Sequence, residues 1–74
     1  MSTENQMPKV GDLVQITYTN YAGNLAEELL SKPFNVSCIE FFNNQPLGFY
    51  IHIDNEDWYF SPNADEWIIV EEKS

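Results

Sequence analysis

Nucleophilic catalysis needs a Ser, Thr or Cys activated by a base within hydrogen-bond reach. The chain holds one cysteine, Cys38, and one histidine, His52, so a lone Cys–His pair is the only thiol chemistry open to it. That pair would meet only if the strands carrying it ran side by side, and no oxyanion-hole motif accompanies it. A free cysteine commonly behaves as a small hydrophobe, and we read Cys38 as a buried structural thiol and His52 as a surface imidazole. Asp54, Glu56 and Asp57 could act as paired carboxylates, but acid–base work requires environments that push their pKa values apart. A hydrated turn does the reverse. The stretch Asp54-Asn55-Glu56-Asp57 also lacks the glycine and distal glutamate of a calcium loop, and one His with one Cys is too few for zinc. The glycines, at 11, 23 and 48, are too dispersed for a phosphate loop. The expectation is a chain that is not an enzyme and takes no cofactor and no metal.

The aromatic side chains are the stronger signal. Five Phe, four Tyr and two Trp in 74 residues exceed what a core this small can enclose. Aromatic anchors ringed by charge are the composition of protein interfaces. The residues expected to bind a partner are therefore Tyr50, Trp58, Tyr59 and Trp67 as anchors, with Asp54, Glu56, Asp57, Asp65 and Glu66 steering association. Completing the core or a homodimer contact is the alternative use of the same rings.

Charge narrows the partner. Twelve acidic residues against three Lys or Arg give a net charge of −9, and no Lys or Arg lies between Pro33 and Glu72. Such a surface repels phosphate backbones and anionic membranes, so direct nucleic-acid or membrane binding is not expected. A protein with a basic surface is. The second reading from the same composition is an inhibitor of the phage or mobile-element type, its carboxylates mimicking nucleic acid to block a DNA- or RNA-binding protein. With a single cysteine, no signal-like opening segment and no apolar run near the roughly 20 residues of a membrane span, the expected location is the cytoplasm, or the host cytoplasm if the chain is phage-encoded.

These side chains must be positioned by strands. Residues 1–8 are polar and aperiodic and read as a flexible leader; 9–72 read as a single domain and 73–74 as a tail. Val14, Ile16 and Tyr18 alternate with Gln15, Thr17 and Thr19, the period of a half-buried strand. Asn24, with Glu27 three residues on, predicts a capped helix; Leu25 and Leu29 together with Ala26 and Leu30 would form its one buried face, and Pro33 would end it. Phe34–Phe42 reads as one strand whose inward parity changes from Phe34, Val36 and Cys38 to Ile39 and Phe41. A parity switch predicts a bulge or sharp bend, as in small barrels whose strands serve two sheets. Turn chemistry at Asn43-Asn44-Gln45-Pro46-Leu47-Gly48 precedes a strand with Phe49, Ile51 and Ile53 inward and Tyr50 and His52 outward. Two further strands follow, at Trp58-Tyr59-Phe60 and Trp67-Ile68-Ile69-Val70, their facing left open by the pattern.

The segment Lys9-Val10-Gly11-Asp12-Leu13-Val14-Gln15-Ile16 is similar to the KxGDxVxI first strand of many SH3-like small β-barrels. The long excursion at 20–33 and the close, Trp58-Tyr59-Phe60-Ser61-Pro62 before a hydrophobic last strand, extend the resemblance over roughly residues 9–72. It implies a mainly β fold: a small five-stranded antiparallel SH3-like barrel or strongly bent sheet, with one short helix between the first two strands. The chain has neither the basic surface of translation-associated barrels nor the Ala-Leu-Tyr motif of proline-peptide binders, so the resemblance implies no ligand residues.

Overall fold

A computed structural model of the chain describes residues 6–70. The strands are β1 (Leu13–Tyr18), β2 (Phe34–Asn35), β3 (Cys38–Phe42), β4 (Gln45–Ile53), β5 (Glu56–Phe60) and β6 (Glu66–Val70), with helix α1 (Gly23–Ser31) between β1 and β2. They form two antiparallel three-stranded sheets, ordered β2-β1-β6 and β3-β4-β5. Among the described residues the architecture is mainly β, with six strands in place of the five expected, in two sheets in place of the expected barrel or strongly bent sheet.

The extra strand arises where parity switched in the sequence. Phe34–Asn35 pair with β1, and the Val36 amide donates to the Asp12 carbonyl at 2.9 Å. The next amide, Ser37, donates instead to the Tyr50 carbonyl at 2.9 Å, and Cys38 onward pairs with β4. One stretch of chain thus leaves the first sheet and enters the second. Buried Val36 fills the corner; Cys38, expected to be buried, turns outward and is exposed, and Ile39 turns inward against the core.

Side chains from both sheets meet in one core. Val14, Ile16 and Trp67 come from the first sheet, Phe49, Ile51, Ile53 and Phe60 from the second, and Leu29 closes it from α1. Phe49 stacks on Phe60 at 5.5 Å and meets Trp67 edge-on at 4.7 Å, so one ring joins the sheets. Contacts of this kind add to area burial, which a chain this short needs.

Two hairpins set the register of β3, β4 and β5. Asn43 and Asn44, then Asp54 and Asn55, all have positive φ. Two successive left-handed residues make the hairpin turn that matches strand twist, and Asn and Asp tolerate that conformation best. The turn predicted at 43–48 is therefore only two residues long, and Gln45–Gly48 already belong to β4. Within it Leu47 has no partner, since Glu40 pairs with Gly48 and Phe41 with Pro46. This bulge accommodates Pro46, which cannot donate to a regular ladder. A register shift between Ile16 and Tyr18 also corrects an expectation: Tyr18 leaves the inward row and is 55% exposed.

Helix α1 begins at Gly23 without a side-chain cap, so the capping box expected at Asn24 and Glu27 does not form. Tertiary contacts hold the helix in its place: Leu29 is buried and Leu25 packs on the core, whereas Leu30, expected on the buried face, points away from it and is exposed. From β1, the Gln15 amide donates to the Leu29 and Leu30 carbonyls at 3.4 and 3.3 Å. These are last-turn acceptors that have no partner inside the helix.

The packed chain begins before the expected Lys9 boundary. Pro8 is buried, Met7 lies on the core, and the Trp67 indole donates to the Gln6 carbonyl at 2.9 Å. Residues 1–5 of the expected leader and the expected tail at 73–74 lie outside the described residues. Among the described residues no helix is long and apolar enough to cross a membrane.

Candidate functional site

The β4–β5 hairpin carries most of the residues expected to bind, and its pleat divides them. Trp58 pairs with Ile51 on the inner side, whereas Asp57 pairs with His52 and Tyr59 with Tyr50 on the outer side. Trp58 is half-buried because it lies near the hairpin end, where the sheet gives way to α1. There it lines a cleft of about 280 Å³ with Asp54, Glu56 and Ile53 of the hairpin and Asn24, Leu25 and Glu28 of the helix. Three carboxylates from two elements thus border an indole.

Tyr21 keeps that indole in place. Its ring meets Trp58 edge-on at 5.4 Å and Phe60 at 5.6 Å, and its hydroxyl donates to the Tyr59 carbonyl at 2.8 Å. Burial, and then the charges of Asp65 and Tyr50, push its phenol above the ordinary tyrosine range. A rigidly backed aromatic loses little entropy on binding. A cation over it gains about 0.5–1 kcal/mol at an exposed site, and each carboxylate adds roughly 1 kcal/mol at 4 Å in bulk water. The total, on the order of 3–4 kcal/mol, corresponds to about millimolar affinity. One lysine or arginine would therefore bind weakly, and useful affinity requires neighbouring contacts from the same partner.

On the outer face, Tyr50 and Tyr59 lie 5.1 Å apart with tilted rings. Gly48 makes room for this arrangement: a Cβ there would meet the Phe60 backbone oxygen and lie 2.5 Å from the Tyr59 hydroxyl. Burial, followed by the charges of Glu40 and Tyr50, raises the Tyr59 pKa. His52 Nδ1 sits 2.7 Å from Asp57 Oδ1, with both side chains more than half exposed. The imidazole is thus engaged with Asp57, while the Cys38 thiol approaches the Ile39 carbonyl at 3.8 Å.

Two of the residues expected to contact a partner are buried. Trp67 is 0% exposed and Asp65 only 4%. Trp67 faces Phe49 in the core. The Asp65 carboxylate ties the loop before β6 to the end of β1, accepting from the Thr19 hydroxyl at 2.9 Å, the Asn20 amide at 3.1 Å and the Ser61 amide at 3.3 Å. A buried carboxylate needs such donors, and these occupy it. Glu66 is exposed but pairs with Tyr18 in the other sheet, away from the cleft lining. Sequence reasoning missed Glu28, although its position was legible: it follows Leu25 by three residues and precedes Leu29 by one, at the margin of the predicted buried face. Among the described residues no three His, Cys, Asp or Glu side chains converge as metal ligands.

Comparison with protein-family models, curated proteins and solved structures found no match.

Proposed function

We propose that the chain is a non-catalytic acidic interaction domain that receives a lysine or arginine side chain of a basic protein partner in the cleft between α1 and the β4–β5 hairpin. The observation that carries this reading is the half-buried Trp58 bordered by Glu28, Asp54 and Glu56. A cavity of about 280 Å³ falls just below the ~300–1,000 Å³ of small-molecule pockets, a size suited to one long side chain. The net charge of −9 would speed the approach of a basic partner. An SH3-like reading of the fold accompanies the proposal. It is supported by one stretch of chain shared between two sheets and by the return of the last strand to pair with the first. The reading keeps the cytoplasm as the place of action.

Pentalysine titrated into the labelled protein tests the site, because the Trp58 and Trp67 indole N–H signals report separately by NMR. At about 20 mM salt, Trp58 should shift and Trp67 should not. Raising salt to about 150 mM should weaken the response severalfold, and Glu28→Gln or Glu56→Gln should each reduce it. An unmoved Trp58 signal at millimolar pentalysine, or a response indifferent to salt, would overturn the reading.

A further inference from the structure

A larger concavity, of about 550 Å³, lies away from the acidic cleft. Met7, Pro8, Lys9 and Val10 form one wall, and Cys38, Ile39, Phe41 and Pro46 form the other. It opens because two stretches of chain diverge. Gly11 and Asp12 exchange backbone hydrogen bonds with Val36 at 2.9 Å, but among the described residues no such bond joins residues 6–10 to β3. β3 is therefore an edge strand, and its outer N–H and C=O groups border an apolar wedge. Natural edges are commonly blunted by lysine, proline or inward charge. Cys38-Ile39-Glu40-Phe41-Phe42 has none of these except Glu40, and that residue pairs with Gly48 on the outer face. Of the residues lining the wedge, Val10 and Phe41 are 62 and 59% exposed, and Phe42 and Leu47, next in sequence to Phe41 and Pro46, are 65 and 47% exposed.

We infer that β3 accepts an extended segment of a partner as an added strand, its apolar side chains facing Ile39 and Phe41 in the wedge and its alternate residues, lysine or arginine, facing Glu40 on the outer side. Strand addition of this kind takes affinity from main-chain bonds and specificity from pockets for alternate side chains. Charge dictates the alternation. The inner wall carries Lys9 and no carboxylate, so it disfavours a cation there. The outer face carries Glu40, whose charge already acts on Tyr59. A second copy of this chain is the poorer occupant. Full antiparallel overlap of two β3 strands would set Glu40 against Glu40, and each chain brings −9.

The test uses a fluorescent heptapeptide, Lys-Val-Lys-Ile-Lys-Val-Lys, and the intact protein. Anisotropy should report saturable binding, with amide shifts concentrated in Cys38–Phe42 and residues 7–10, and with slower alkylation of Cys38. N-methylation of alternate peptide amides should weaken binding about tenfold or more, the equivalent of one or two lost hydrogen bonds. Phe41→Ser, at an already exposed position, should weaken it similarly, and Glu40→Lys should shift preference toward the Glu-Val-Glu-Ile-Glu-Val-Glu counterpart. The amide shifts at Cys38–Phe42 should persist in Trp58→Ala, which separates the wedge from the acidic cleft. Three results would overturn the inference: insensitivity to N-methylation, shifts confined to the Trp58 cleft, or concentration-dependent dimerisation that Phe41→Ser abolishes.

Discussion

Replacing Asp65 with alanine should destabilise the fold while leaving the acidic cleft intact. The carboxylate is 4% exposed and accepts three hydrogen bonds, from the Thr19 hydroxyl and from the Asn20 and Ser61 amides. Alanine leaves those donors without their partner, while the removal of a desolvated charge returns part of the loss. At roughly 2 kcal/mol per orphaned donor the gross loss is about 6 kcal/mol, and the returned desolvation leaves a net cost of about 3 kcal/mol. A chain of 74 residues is expected to have a total stability of about 4–11 kcal/mol, so the variant loses a large share of it. With a urea m-value of about 1 kcal/mol/M, the midpoint should fall by about 3 M. Asp65→Asn retains one carbonyl oxygen for Thr19 and Asn20 but turns an amide donor toward the Ser61 N–H, and should cost about 1–2 kcal/mol. Equilibrium urea unfolding followed by tryptophan fluorescence measures both. A fall of less than about 0.5 M for alanine, or equal losses for the two variants, would refute the view that these bonds hold the loop before β6. The asparagine variant should still bind pentalysine within about twofold, because position 65 does not line the cleft.

Gly48→Ala should cost about 2 kcal/mol, since its Cβ would press on the Phe60 backbone oxygen and the Tyr59 hydroxyl; a melting temperature within 2 °C, roughly the error of the measurement, would contradict that packing. Removing residues 1–7 deprives the Trp67 indole of the Gln6 carbonyl and the core of Met7, a loss of about 1–2 kcal/mol that should lower the melting temperature by about 5–10 °C. The Tyr21 phenol is raised above its ordinary 10.0 by burial and then by neighbouring charge, so the folded state holds that proton more tightly than the unfolded chain does. Its contribution is complete below pH 10.0 and is lost as pH rises through the higher folded value. Urea midpoints should therefore drop more between pH 9 and about 11 for the parent than for Tyr21→Phe, and parallel slopes would count against the burial of that phenol.

Much of the fold was legible locally. Phe49, Ile51 and Ile53 alternate in the sequence and are buried together in β4; the parity switch within 34–42 became the crossing between sheets. Tyr18 was misread because the bulge at Thr17 depends on pairing with β6, which no local pattern records. The Asn24 cap failed for a related reason: α1 is held by Leu25, Leu29 and the Gln15 amide, and its start is set by docking rather than by its own first turn. Of the nine residues expected to bind, Asp54, Glu56 and Trp58 meet in one cleft, while Asp57, Tyr50 and Tyr59 occupy the opposite face of the same hairpin.

Composition and period alone determined that this is an acidic, aromatic-rich, mainly β chain, and that its hairpins turn at Asn and Asp, because those properties belong to single residues and their nearest neighbours. Which carboxylates reach solvent and which aromatic rings are anchors was decided only in three dimensions. Asp65 and Glu66 are adjacent and equally acidic, yet one is enclosed by donors from distant segments and the other is exposed. Trp58 and Trp67 are the same residue type, yet one borders a cleft built partly by a helix some 30 positions earlier in the sequence, and the other fills the space between two sheets. Burial is a property of the packed assembly, and the contacts that set it join residues far apart along the chain.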